Sequence, residues 1–415
     1  MKGWNNTRLK NLLNEPLLSG LNVSSEYEER DMPRYIRITD FDDFNNLNEQ
    51  TFKSLPEEIA QSAQLKDGDL LFARSGASVG KTFLYRPLPN GACYAGYLIR
   101  ARFDRQRVMP EYVSYYTKSQ SYENWKNATY IQATIQNISA ERYYQLPISI
   151  PPLEEQGRIV SYLNDKTGKI DARVSLLTKK RDAYQRLKKA LISRVVTKGL
   201  NPNAKFKPSG VDWIGEIPDG WKVKRIKDVC GINVLTLNEQ MPPNYMFKYI
   251  DISSVSNGSI KLSEPITFWE APSRARRIVS EDDIIVSTVR TYLKAIAHIN
   301  WKTQDIIAST GFAVITPTKF INPLYLSFYF HHDSLVDDIC RNSCGVSFPA
   351  TTSSFISRLP LLLPPFSEQQ SIATYLDEKC SEIDSNIANL EKQIEKYKEL
   401  KRALISEVVT GKRRV

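Results

Sequence analysis

The sequence predicts an α+β chain in which two similar mixed α/β modules are separated by two long helices that pair as a coiled coil. Two observations carry this. A stretch of 47 residues occurs twice, 151–197 and 364–410, with 22 identities at a constant offset of 213 and no gap. The segments before each copy share weaker similarities in the same order. An internal repeat of this kind fixes the architecture before any single element is read.

The repeated stretch reads as helix. Pro151-Pro152-Leu153-Glu154-Glu155-Gln156 opens it and Pro364-Pro365-Phe366-Ser367-Glu368-Gln369 opens its copy. Prolines bar helix before them, and acidic residues suit a first helical turn. In the second copy Leu376, Cys380, Ile383, Ile387, Leu390, Ile394, Tyr397, Lys401 and Leu404 fall at alternating steps of four and three. That is the heptad seam of a coiled coil. The first copy repeats it as Leu163, Thr167, Ile170, Val174, Leu177, Arg181, Tyr184, Lys188 and Leu191. About 40 helical residues span roughly 60 Å. Each narrow stripe needs a partner, and the other copy is the nearest one. Lys188 and Lys401 break the apolar seam, and the expectation is that they mark where the coil ends and a partner surface begins.

The modules occupy 1–147 and 220–360, the helices 148–197 and 361–415, and a linker rich in Gly and Pro lies at 198–219. Gly3-Trp4 corresponds to Gly220-Trp221, and Tyr35-Ile36-Arg37-Ile38 to Tyr249-Ile250-Asp251-Ile252. Lys66 to Leu71 and Ser280 to Ile285 both read as an acidic turn entering a buried strand. Pro110 to Tyr116 and Pro323 to Tyr329 both read as helices with proline at the start.

The chain has 415 residues, 56 Lys+Arg against 46 Asp+Glu, a net charge of +10 and a pI near 9.1, which suits a polyanionic partner. Five scattered cysteines indicate a reducing compartment. No apolar run reaches membrane-spanning length, so the expected location is the cytoplasm.

Ser75-Gly76-Ala77-Ser78-Val79-Gly80-Lys81-Thr82 approaches a phosphate-binding P-loop, but Phe83-Leu84-Tyr85 reads as strand where a P-loop opens a helix. A basic loop that meets a phosphate backbone through Arg74, Ser75, Ser78 and Lys81 fits better. Its counterpart carries Arg290, Tyr292 and Lys294; arginine can grip guanine bidentately and lysine can meet phosphate. A second polar pair precedes each helix. One member holds Gln132, Gln136 and Asn137, amides able to read adenine, and the other holds Ser347 and Thr351. An ordinary polar loop explains these equally well. No metal set is expected: Cys340, Cys344 and His331-His332 lack paired zinc spacing. Three histidines in one half of the chain, and no Gly-x-Ser-x-Gly elbow, leave no catalytic constellation.

With these residues in place the whole chain resembles the specificity subunit of a Type I restriction-modification system. The repeated Pro-Pro-x-x-Glu-Gln starts, Ala190-Leu191-Ile192-Ser193 with Ala403-Leu404-Ile405-Ser406, Ile214 to Trp221, and the loop at Asp69 to Lys81 carry the resemblance. It implies two target recognition domains on an antiparallel coiled coil, each reading half of a bipartite duplex DNA site, with the coil setting the gap. It implies two modification subunits that methylate adenine with S-adenosylmethionine, and restriction subunits that use ATP and Mg. It also implies that this chain binds no cofactor and carries no catalytic centre. The competing reading is a self-contained DNA methyltransferase or nuclease.

Overall fold

The computed structural model describes residues 4–42, 45–76, 78–130, 137–256, 258–345 and 349–415. Two compact units emerge: residues 1–178 with 392–415, and residues 179–391.

In the first unit, β1 (Asn5–Arg8) and β2 (Leu18–Ser19) precede β3 (Arg34–Ile36) and the single turn α1 (Glu57–Ala60). Then come β4 (Leu70–Ala73), β5 (Thr82–Leu84), β6 (Ala92–Tyr94) and β7 (Leu98–Ala101). Helices α2 (Pro110–Tyr116), α3 (Gln120–Tyr130) and α4 (Ala140–Tyr144) lead to β8 (Pro147–Ile150) and the long α5 (Leu153–Lys198). The main sheet has the order β2-β7-β4-β5, β3 pairs in parallel with β6, and β1 pairs antiparallel with β8. Every residue of β4 and β7 is buried, as the apolar run Leu70-Leu71-Phe72-Ala73 requires.

The second unit adds β9 (Phe206–Pro208), β10 (Glu216–Pro218), β11 (Lys222–Arg225), α6 (Ile226–Val229), β12 (Cys230–Ile232) and β13 (Met246–Ile250). A short hairpin, β14 (Val255–Ser256) with β15 (Ser259–Ile260), and β16 (Ile266–Thr267) precede β17 (Ala275–Ile278), β18 (Ile284–Ser287) and β19 (Ile296–His298). β20 (Ile306–Ser309) and β21 (Phe312–Pro317) are followed by α7 (Pro323–Phe330), α8 (Asp333–Arg341), α9 (Ser353–Arg358), β22 (Pro360–Leu363) and α10 (Phe366–Val409). The order β12-β21-β18-β19, the parallel pair β13-β20 and the antiparallel pair β11-β22 repeat the first unit strand for strand. Among the described residues, the flanking strands β16 and β17 and the hairpins β9-β10 and β14-β15 have no counterpart there. The segment 198–219, read as a linker, forms the β9-β10 hairpin. Its Ile214 and Ile217 are buried in the second unit's core with Trp221.

The helix starts explain the repeated motif. Gln156 and Gln369 are fully buried. Each accepts the amide N–H of a residue just before α2 or α7, Met109 or Asn322, at 2.8 Å. Each also donates to the carbonyls of Pro151 or Pro364 and of Arg107 or Phe320. Glu155 accepts the Trp4 indole N–H at 3.2 Å, and Glu368 that of Trp221 at 3.0 Å. The Gly-Trp openings and the Glu-Gln starts are therefore two ends of one fastening. Tyr112 and Tyr116 donate to Ser149 O and Pro147 O, as Tyr325 and Tyr329 do to Leu362 O and Pro360 O. Gln369→Ala would strand one buried N–H and two carbonyls. The expected cost is about 3 kcal/mol, read as a lower unfolding free energy in denaturant titration.

The helices pair in each unit, the start of one meeting the end of the other. Ile159, Val160 and Leu163 share a core with Leu404, Ile405, Val408 and Val409 in the first, and Ile192, Val195 and Val196 with Ile372, Ala373 and Leu376 in the second. The seam residues Leu163, Leu177, Leu376, Ile383, Leu390, Ile394 and Leu404 are buried, and Ile170, Val174, Tyr184, Leu191, Ile387 and Tyr397 are half-buried. The seam lysines are not the end of the coil. Lys401 Nζ pairs with Asp171 at 2.7 Å and Lys188 Nζ with Asp384 at 2.6 Å. The same 213 separates 188 from 401 and 171 from 384. One ion pair per unit crosses between the helices, so each lysine is held inside the packing by a carboxylate.

Candidate nucleic-acid interface

The two polar segments of each module meet. In the first unit the β4–β5 connection, residues 74–81, returns on itself through Gly80 N–H to Ala73 O and Ala73 N–H to Lys81 O, both 2.8 Å. Ser75 bridges antiparallel to Asn137, and Ile138 N–H donates to Arg74 O at 2.9 Å. Two buried tyrosines brace the stems: Tyr143 donates to Ala73 O and Tyr122 to Gly80 O. Arg74, Ser75, Ser78, Lys81 and Asn137 are half-buried, with the Lys81 ammonium 5.4 Å from the Phe41 ring centre. Gln132 and Gln136 lie outside the described residues. Lys81-Thr82 runs directly into β5 rather than into a helix, so the near P-loop is a hairpin turn.

The second unit builds the same junction. Val289 bridges antiparallel to Ala350, Arg290 N–H donates to Pro349 O and Thr351 N–H to Thr288 O, both 2.8 Å. The Thr291 and Ser343 hydroxyls lie 2.8 Å apart, tying the loop to the end of α8. Arg290, Tyr292 and Lys294 are exposed, and Lys294 Nζ lies 3.4 Å from Asp337. Ser347 is outside the described residues.

The loops differ in one informative way. Gly76 and Gly80 take φ of 77° and 79°, the left-handed region that glycine enters without steric cost. Arg290 and Lys294, at the equivalent positions, take φ of 52° and 51°. Left-handed backbone costs a non-glycine residue about 1–2 kcal/mol. The backbone path is thus held constant while the side chains it displays change, and strain of this kind gathers at functional sites.

Two further residues adjoin these loops and escaped the sequence reading. Tyr97, 64% exposed, accepts the Arg74 N–H through its carbonyl. Arg274 O accepts from Thr310 N–H, next to the Gly311 that bonds Thr288, and its guanidinium pairs with Asp251 at 2.8 Å. Both lie on sequence-distant strand ends, so only a pairing map would have found them.

Three of the five thiols are buried. Burial pushes the Cys93 and Cys230 thiols up to about 12 and Cys380 up to about 11. It also lowers His331 and His332, which favours neutral imidazoles. Among the described residues no three His, Cys, Asp or Glu side chains converge in a way that could hold a metal ion. No described helix is long and apolar enough to cross a membrane.

Two modules of one topology, fastened alike to paired helices and differing at their loops, define a duplicated recognition scaffold. The family model for the Type I restriction modification DNA specificity domain matches residues 1–177 and 218–396, one copy per module. The chain belongs to that family. The putative type I restriction enzyme MjaX specificity subunit of Methanocaldococcus jannaschii is 24% identical, over 99% of this chain and 94% of its own length. The MjaVIII specificity subunit of the same organism is 22% identical over 85% and 80%. A solved chain described under complex assembly and conformational transition of the type I R-M system shares the fold, with a TM-score of 0.72. It is 18% identical and the match covers 99% of this chain and 98% of that one.

Proposed function

We propose that this chain is the non-catalytic specificity subunit of a cytoplasmic Type I restriction-modification complex. Each module reads one half of a bipartite duplex DNA site, and the paired helices, 46 and 44 residues long, set the distance between halves. Two modification subunits methylate adenine with S-adenosylmethionine, and restriction subunits use ATP and Mg to translocate and cleave. This chain binds none of these cofactors. The observation that supports the reading most is the repeated loop junction, Ser75–Asn137 and Val289–Ala350. It presents Arg74, Ser78 and Lys81 in one module and Arg290, Tyr292, Lys294 and Thr351 in the other. Phosphate contacts would position the duplex, and contacts to base edges would select it.

Arg290→Gly tests this cleanly, because glycine already occupies the equivalent left-handed position of the first module. The variant is expected to lose about 1–3 kcal/mol of binding to duplex carrying the methylated site, with no loss of stability or of subunit assembly. Unchanged binding would remove Arg290 from the interface. Methylation or cleavage by the purified chain alone would favour the self-contained enzyme instead.

A further inference from the structure

The first unit contains an open cleft of about 780 Å³ between the β4–β5 loop, the α2–α3 corner and the C-terminal turns of α10. Lys81, Lys118, Lys126, Lys398, Lys401 and Arg402 line it. Among the described residues the one carboxylate in the lining is Glu123, which pairs with Lys126 at 2.6 Å. Glu395 and Asp171 pair with Lys398 and Lys401 from outside it. Among the described residues, six cations against these three carboxylates leave the lining net positive. The cleft is also shaped for a cation. A Cβ on Gly80 would meet Lys126 Cδ at 2.3 Å, so the bare turn makes room for the lysine stem.

The second unit keeps the fold here but loses much of the charge: Lys188 and Lys189 remain where the first has Lys401 and Arg402. Where the first has Lys81, Lys118, Lys126 and Lys398, the second has Ala295, His331, Ile339 and Gln185. Gln120 and Asn124 give way to Asp333 and Asp337. Those carboxylates lie 3.9 and 3.4 Å from Lys294, and Asp333 lies 3.9 Å from Lys189. Ile339 is buried in the unit's core, and burial lowers the affinity of His331 for a proton. Identical topology with a much weaker positive charge is not required by packing.

We propose that the first unit's cleft holds the phosphodiester backbone of duplex DNA, and that the second unit has no equivalent clamp. This rests on the DNA-recognition reading above and adds an asymmetry to it. Sequence-independent affinity and its salt dependence come mainly from one module, while the other depends on its base-facing loop. The cleft joins the loop carrying Ser78 and Lys81 to the paired helices, so backbone held there would fix the register of the first module on the duplex.

The test uses the full chain assembled with its modification subunits and a short duplex of random sequence, titrated at several salt concentrations. Lys118→Gln, Lys126→Gln and Arg402→Gln together keep the aliphatic stems and remove three charges. Each lost phosphate contact lowers the slope of log affinity against log salt by about 0.9, so the triple variant should be shallower by roughly 2–3. Lys118→Arg, Lys126→Arg and Arg402→Lys should restore the slope, which separates charge from folding. Neutralising exposed Lys205, Lys222 and Lys227 of the second unit should leave it unchanged. An unchanged slope in the first triple variant, or an equal fall in the second-unit control, overturns the clamp while DNA recognition stands. Failure of the unaltered complex to bind any duplex would instead overturn the recognition reading itself.

Discussion

Replacing residues 220–360 with the corresponding segment of another family member is expected to change one half of the methylated DNA sequence and leave the other half and the spacing intact. Mapping methylated adenines in a host that expresses the chimera with its modification subunits reads this directly. The structure says where the joints must fall. The graft has to return Trp221 to Glu368, Asn322 to Gln369, and Tyr325 and Tyr329 to the β22 carbonyls. The first unit uses the same contacts at Trp4, Met109, Tyr112 and Tyr116. A module that meets them carries its own loop junction with it, because Val289–Ala350 pairing is internal to the segment. Changes in both halves of the site would show that the modules do not read independently.

A large stability effect of opposite character in the two units is expected at one repeated carboxylate. Asp69 is 1% exposed and receives a bidentate grip from Arg102 at 2.7 and 2.8 Å, with Arg102 also bonded to Glu15. Asp69→Asn takes the buried partner from a half-buried guanidinium that keeps Glu15, which should cost about 2–3 kcal/mol. At the equivalent position Asp283 is 2% exposed and Thr316 stands where Arg102 would be, so no counter-charge replaces the guanidinium at that position. Burial raises its pKa, offset in part by the Ser280 N–H and the Thr316 hydroxyl. A carboxyl with a raised folded-state pKa favours folding below its unfolded value and loses that advantage as pH climbs through the folded value. The second unit should therefore weaken as pH rises from about 4 toward neutral, and Asp283→Asn should flatten that decline at little cost. Hydrogen exchange resolved by segment separates the units. Equal destabilisation by Asp69→Asn and Asp283→Asn would refute the difference.

The helices and their seam were legible because periodicity is local. Leu376, Ile383, Leu390 and Leu404 declare a face through spacing alone, and that face is buried. The buried strands at Leu70 and Ile284 were legible for the same reason. The seam lysines were misread as the coil's end because their partners lie far along the chain, 230 residues away for Asp171 and 196 for Asp384. The near P-loop could be dismissed from the strand that follows it, yet nothing in its letters showed that Ser75 would lie against Asn137.

The sequence by itself determined the duplication, the two long helices, the matching order of segments in the two modules and, through the resemblance its motifs carry, the family. Repeats and apolar periods are written in neighbouring residues, so no folded structure is needed to read them. Only the tertiary structure decided what the repeated Glu-Gln starts hold, which loops converge, and where the two modules part company. Arg290 and Lys294 stand on left-handed backbone where the first module has Gly76 and Gly80. The first unit's cleft is lined by six basic side chains, and several of the equivalent positions in the second unit are neutral or acidic. These depend on backbone angles and on contacts closed across long stretches of chain, which the strand pairing brings together only once the module has folded.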